Sequence, residues 1–223
     1  MMKIKSLLVG ASGLVGSELL KNLNRRGQDI TLFTRSPLEH ISDNTNEIII
    51  DFDEINNLNF PALDHVYIAI GMRLTTFELI HIKNNKRKEF FKVDHDLVYN
   101  IAKKAFDVGA RSIAIVSAVG ADMNSSNFYL QTKGKMENSI KEIGYEKIVY
   151  AQPSHLLGSR SNQKVAIEVP IIELGAKILD PLMRGPLSDL RFVKASAVAK
   201  KMVETMNESS TSHSILKFKD FLN

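Results

Sequence analysis

The 223-residue chain contains no cysteine, which removes disulfides, thiolate nucleophiles and Cys-ligated metals from consideration but leaves the compartment open. Metal binding finds no other foothold. The six histidines, at 40, 65, 81, 95, 155 and 213, show neither a His-Glu-x-x-His helix nor any paired ligand spacing. No apolar run approaches the length of a membrane span, so no membrane association is expected. The apolar run after Met-Met-Lys-Ile-Lys is only a few residues long and merges into a glycine turn. It is too short for a secretory signal, and the chain reads as cytoplasmic. Internal repeats and low-complexity linkers are lacking. The charge surplus is small, 29 Lys and Arg against 25 Asp and Glu for a formal net charge of +4. These charges are dispersed except at Lys83 to Lys88 (Lys-Asn-Asn-Lys-Arg-Lys), which has no interleaved aromatic residues. That run reads as a solvated loop and helix start, and nucleic acid is not an expected partner.

What is present is an alternation of strand and helix patterns in a chain of ordinary soluble composition, 44% hydrophobic and 24% charged. Strands are expected over 4–9, 29–35, 47–52, 64–70, 111–117 and 146–151, each a short apolar or alternating run. Helices are expected over 14–26, 88–108 and 127–143, closed by Gly27, Gly109 and Gly144. The apolar stripe of the second helix is Phe91, Leu97, Val98, Ile101, Ala102, Ala105 and Phe106. Beyond residue 156 the expectation is a helix over 171–179, a short strand over 190–193 and a helix over 196–207. This rhythm implies an α/β fold, a Rossmann-type doubly wound parallel sheet, with ligands outside the carboxyl ends of the strands. Residues 1–223 form one domain, in which the part from about 154 onward contributes a small substrate-side lobe.

The first strand runs into Gly10-Ala11-Ser12-Gly13-Leu14-Val15-Gly16, which opens the first helix. A strand that breaks at glycine and re-forms as a helix aims backbone N–H groups and the positive helix end at one spot, which suits a pyrophosphate. Gly10 permits the tight turn, Gly13 a close approach of phosphate, and Gly16 close seating of helix on sheet. The spacing is Gly-x-x-Gly-x-x-Gly rather than Gly-x-Gly-x-x-Gly, so the match is to the mechanism.

Tyr129 and Lys133 form a Tyr-x-x-x-Lys pair on one helical face, where the ammonium would lower the phenol pKa and fit it for acid–base work. A second such pair, Tyr99 and Lys103, lies off the apolar stripe of its helix and reads as solvated surface. Tyr129 has context: Ser117 ends the fifth strand twelve residues upstream, and its hydroxyl suits the same substrate oxygen.

Together the glycine turn, the strand-end serine and the Tyr-x-x-x-Lys pair resemble the short-chain dehydrogenase/reductase superfamily. Residues 97–157 resemble its atypical NmrA-like branch, including the Tat-interacting oxidoreductase group. The likeness is carried by 116–122, 125–134 and 153–158, and extends to Arg191-Phe192-Val193 and Ala197-Val198-Ala199.

The resemblance implies a nicotinamide dinucleotide with its phosphates on Gly10, Ser12, Gly13, Leu14, Val15 and Gly16. Asp51 and Phe52 would lie at the adenine, and Ala69, Ile70 and Gly71 on the adenosine ribose side. Tyr129 would be the proton donor, Lys133 would hold the nicotinamide ribose, and Ser117 would orient a carbonyl. Pro153, Ser154 and His155 would flank the carboxamide. The competing structural readings are Asp51 as a strand end, Phe52 as core and His155 as a satisfied loop histidine. Arg35 and Ser36 end the second strand where an NAD enzyme usually places a carboxylate. A guanidinium with hydroxyls, and no acid in position to repel a 2′-phosphate, favours NADP over NAD.

Two positions depart from the pattern: the fourth catalytic residue, an Asn, has no clear counterpart, although Asp94 sits near its place and Asn100 about one and a half turns later, and Gln152 stands where many relatives have Arg. The implied function is an NADPH-dependent reductase of a small carbonyl substrate. The alternatives are a non-enzymatic dinucleotide sensor and a sugar-nucleotide epimerase or dehydratase, the latter disfavoured by the roughly seventy residues after Pro153. A homodimer is compatible with helices flanking such a sheet.

Overall fold

The computed structural model describes residues 3–154, 156–157, 191–210 and 212–222. The strands are β1 (Lys5–Val9), β2 (Asp29–Thr34), β3 (Thr45–Ile49), β4 (His65–Ile68), β5 (Ser112–Val116), β6 (Lys147–Ala151), β7 (Leu156–Leu157), β8 (Val193–Lys194) and β9 (His213–Leu216). Seven form one sheet in the order β3-β2-β1-β4-β5-β6-β9, with every pair parallel. β7 and β8 pair separately.

Period-two alternation along the strands decides the layers, because successive side chains point to opposite faces. Leu8, Leu32, Tyr67, Ala114 and Val149 face α1 (Leu14–Arg25) and α6 (Ala195–Met206). Leu7, Val9, Phe33, Val66, Ile113 and Ile148 face α4 (Val98–Asp107) and α5 (Phe128–Lys141). With helices on both faces and the strand order reversing between β1 and β4, the fold is the expected Rossmann-type doubly wound sheet, and its crevice lies at that switch point.

Three expectations are corrected. The third strand stops at Ile49 rather than Phe52, because the Asp51 carboxylate accepts the Asp53 N–H at 2.9 Å and starts a 3₁₀ turn, Phe52–Asn57. The second long helix begins earlier, as α3 (Asn84–Phe91), and passes through a π turn, Lys92–Leu97, before α4. A π turn adds a residue and rotates everything before it, so Phe90 is fully buried while Phe91 is only partly covered and stacks on His95 at 4.4 Å. Finally, α6 lies on α1 and β9 extends the main sheet beside β6, so residues 195–216 belong to the layers of the main sheet, while 158–190 of the expected substrate-side lobe lie outside the described residues. The helix expected over 171–179 lies outside the described residues, as does Leu190; of the strand expected over 190–193 only Val193 is in a strand, β8, while Arg191 and Phe192 are not. The structure also adds α2 (Thr76–Ile80), started by a capping box between Thr75 and Glu78.

His65 begins β4 with its Nδ1 buried and without a hydrogen-bond partner. Burial lowers its pKa to about 4, with Asp64 opposing and the Lys147 charge assisting. Between pH 4 and 6.5 the unfolded chain therefore binds a proton that the folded chain refuses, so stability falls as pH drops through this window. His65→Phe is expected to flatten that dependence by about 2–3 kcal/mol, measured as the midpoint of urea unfolding at pH 4.5 and 7. Parallel slopes for both proteins would refute it.

Candidate functional site

Beyond Val9, at the carboxyl end of β1, the chain turns through Gly10 with φ +96°, a conformation that L side chains avoid. A Cβ there would lie 2.5 Å from the Ala69 carbonyl oxygen, and one on Gly16 would lie 1.9 Å from the Gly10 carbonyl oxygen. The Gly13 N–H donates to Gly10 O at 2.9 Å and closes the turn. Gly13 is the cap residue of α1 and makes no side-chain capping bond, and the first turn holds no acidic residue. The N–H groups of that turn thus face outward with the positive helix end, in a cradle that only glycines allow. Ser12 is exposed, Leu14 is partly buried, and Val15 has its side chain in the core, so Val15 offers the cradle only its backbone.

The ends of neighbouring strands complete the crevice. Ala69 and Ile70 follow β4 against the Gly10 turn, with the Ala69 N–H donating to Val9 O at 2.9 Å, and Gly71 is exposed. Arg35 and Ser36 are exposed beyond β2, and Asp51 is exposed beyond β3. Phe52 is partly buried against the second core cluster, as its structural reading anticipates. One expectation about this edge is corrected. A carboxylate does stand near the end of β2: Glu47 on β3 accepts the Thr34 hydroxyl at 2.9 Å and the Leu38 N–H at 3.1 Å, bracing the 35–38 loop.

On the other side of the crevice, α5 presents Tyr129 and Lys133 on one face. Its cap is Asn127, whose Oδ1 accepts the Leu130 N–H while its Nδ2 donates to Leu79 O at 3.0 Å and Ile80 O at 3.1 Å, tying α2 to the start of α5. Gly134 lets the helix lie against the 122–123 backbone, where a Cβ would meet the Met123 nitrogen at 2.2 Å. Tyr129 is partly buried beside the Phe90 ring, 5.8 Å between centroids.

Lys133 is 4% exposed, and its ammonium pairs with Asp94 Oδ1 at 2.7 Å. Asp94 is 2% exposed, comes from the π turn, and accepts the Met72 N–H on Oδ2 at 2.7 Å. The departure noted near the fourth catalytic position is therefore a buried counter-ion for the lysine. Burial alone would lower the Lys133 pKa, but Asp94 and Tyr129 outweigh it and hold the ammonium above its usual value. The expected lowering of the Tyr129 phenol is corrected. Burial pushes it up, Lys133 only partly offsets this, and Asp94 adds to the rise.

Ser117 lies at the end of β5, 5% exposed, with its N–H donating to Ala151 O at 2.7 Å. Its Oγ is buried and has no hydrogen-bond partner among the described residues. Glu137 continues the Tyr129–Lys133 face and accepts Gln152 Nε2 at 2.9 and 3.2 Å. It was not singled out in the sequence, although Tyr, Lys and Glu at i, i+4 and i+8 are a readable stripe. Pro153 is buried next to this cluster, its carbonyl accepting the Val119 N–H at 3.1 Å. The Ser154 hydroxyl donates to the Arg191 carbonyl, and His155 lies outside the described residues. Among the described residues no three His, Cys, Asp or Glu gather as a metal site, and no helix is long and apolar enough to cross a membrane.

Comparison with known proteins agrees with this geometry. A family model described as the NAD dependent epimerase/dehydratase family matches residues 6–165. "Protein FMP52, mitochondrial" of Meyerozyma guilliermondii is 30% identical over 189 residues, covering 82% of this chain and 78% of that protein. Protein HTATIP2 of Rattus norvegicus is 29% identical over 177 residues, covering 73% and 67%. Among solved structures, MoeE5 in complex with UDP-glucose and NAD superposes with a TM-score of 0.70 at 13% identity, over 97% of this chain and 79% of that one. The human epimerase family protein SDR39U1 with NADPH gives 0.64 at 15% identity, over 96% and 73%. At such identities the structural likeness establishes the fold alone. The expectation of a cytoplasmic protein is corrected by the fungal relatives, which are named mitochondrial.

Proposed function

Because the chain belongs to the NAD dependent epimerase/dehydratase family and has its NAD(P)-binding fold, we propose that it is an NADPH-dependent reductase of a small carbonyl compound. The observation that carries this reading is the buried Asp94–Lys133 pair beside Tyr129, at the same end of the sheet as the glycine cradle. Gly10, Gly13 and Gly16 fit a diphosphate, since their missing Cβ atoms let the turn close on its own backbone and set an uncapped helix start where a diphosphate can approach. When bound, the reduced coenzyme supplies the hydride. Tyr129, kept protonated by burial and Asp94, gives its proton to the carbonyl oxygen. Ser117 donates a hydrogen bond to the same oxygen. Lys133, its charge balanced by Asp94, steadies the phenol and the ribose side.

The preference for NADPH rests on Arg35 and Ser36, exposed past β2 where a guanidinium can grip a 2′-phosphate with two bonds. Glu47 is engaged by Thr34 and Leu38 and does not compete for the ribose hydroxyls. Titration calorimetry should give NADPH a lead over NADH of about tenfold or more, and Arg35→Ala should bring the two close to parity. Tyr129→Phe should keep NADPH affinity within about twofold while losing about 100-fold or more of turnover on a carbonyl panel. No heat with either coenzyme at millimolar concentration would overturn the reading. Tight binding without turnover by the wild-type protein would point to a sensor instead.

A further inference from the structure

We propose that the corner formed by α2 and the start of α3 docks on an anionic lipid bilayer, which the protein touches from one side without crossing. Phe77 and Ile80 are each 71% exposed, more than any other large apolar side chain among the described residues. They stand three residues apart on α2 and share one face of it. Their exposure is built into the fold, because the backbone on which they stand is tied down from three sides. Asn127 Nδ2 donates to Leu79 O at 3.0 Å and to Ile80 O at 3.1 Å, anchoring α2 to α5. The Lys86 ammonium pairs with Glu78 and joins α3 to α2, and Arg87 Nε donates to Ile82 O at 3.0 Å. The two side chains are therefore held out in water.

The charge around them selects the partner. Residues 71–92 hold six Lys and Arg against Glu78 and Glu89, a surplus equal to that of the whole chain. Glu78 is already taken up by Lys86 and by its capping box with Thr75. Arg73, Lys83 and Lys88 are exposed and form no ion pair among the described residues, and Lys83 caps α3 three residues past Ile80. Apolar tips ringed by flexible cations fit a bilayer surface, where the tips enter the acyl boundary and the ammonium groups stay at the phosphates. A stable protein interface takes about 800 Å² per partner, more than two side chains cover. A nucleic acid would find nothing to stack on at Ile80. The lack of a helix able to cross a membrane among the described residues bears on spanning a bilayer, not on touching one. The sequence reading of 83–88 as solvated surface lacked this neighbour, since only the packing of α2 leaves Phe77 and Ile80 uncovered.

The test is co-sedimentation of the full chain, without coenzyme, with vesicles of phosphatidylcholine alone or mixed with about 30% phosphatidylglycerol. The mixed vesicles should bind at least about tenfold more tightly, and raising salt from about 0.05 to 0.5 M should weaken that binding severalfold. Phe77→Ser with Ile80→Ser should lose about tenfold or more of the affinity, and Lys83→Glu with Lys88→Glu a similar amount. Ile215→Ser is the control: it removes a half-exposed apolar side chain from β9, at the edge of the main sheet, and should bind as the wild type does. All three variants change exposed side chains and should keep the wild-type circular dichroism. No binding to the mixed vesicles overturns the proposal, as does binding indifferent to the Phe77 and Ile80 changes or lost equally in Ile215→Ser. Self-association that depends on Phe77 and Ile80, with no vesicle binding, would make the corner a contact between copies and also overturn it. The readout needs neither coenzyme nor turnover, so it stands or falls apart from the reductase reading.

Discussion

Gly16→Ala is expected to weaken dinucleotide binding by at least about 100-fold and to cost about 2–3 kcal/mol of folding stability. The added methyl would sit 1.9 Å from the Gly10 carbonyl oxygen and 2.6 Å from its carbon. Those are backbone atoms, and the turn has nowhere to retreat, since Gly10 itself lies against the Ala69 carbonyl with φ +96°. Relief must come from moving α1 away from the sheet, which both opens the core under Val15 and Leu19 and re-aims the N–H groups of the first turn. Gly27→Ala is the control. It has φ +64° but open space around it, so the cost should be about 1 kcal/mol with coenzyme affinity unchanged. Urea unfolding and titration calorimetry on the two variants measure both effects; equal behaviour would show that the cradle is not built as described.

Asp94→Asn should destabilise the protein by about 3 kcal/mol, although the shape at position 94 barely changes. The amide cannot neutralise Lys133, which is 4% exposed and has no other carboxylate in bonding contact among the described residues. Much of the loss is thus the penalty of an orphaned charge rather than the worth of the pair. Adding Lys133→Met should recover part of it, and a loss that the second substitution deepens would contradict this account. The phenol reports the same change. Burial and Asp94 raise the Tyr129 pKa and Lys133 lowers it, so removing the carboxylate takes away one of the two raising influences. The tyrosinate absorbance assigned by Tyr129→Phe should appear at lower pH in Asp94→Asn than in the wild type.

Much of the fold was legible because its signals are local. A glycine after an apolar run marks the end of β1, and the spacing of Val15, Leu19 and Leu23 writes the buried face of α1 into the chain. The Tyr129–Lys133 pair was legible for the same reason, as helical spacing alone puts the two side chains together. β9 was not. It is four residues long with Ile215 half exposed and only Leu216 buried, too weak a pattern to stand out from a loop. Nor was the π turn, which differs from an α-helix by one residue of phase. That phase exchanges Phe91 for Phe90 in the interior and delivers Asp94 to Lys133.

The amino-acid order by itself settled the alternation of strands and helices, the glycine bend between β1 and α1, and which phenol lies beside a lysine. Each depends on backbone conformation or on neighbours within two helical turns. Tertiary structure alone decided the electrical state of the site. Whether the ammonium acts on the phenol or is cancelled by Asp94 depends on groups from separate elements. Burial strengthens their interactions by stripping away the water that would screen them.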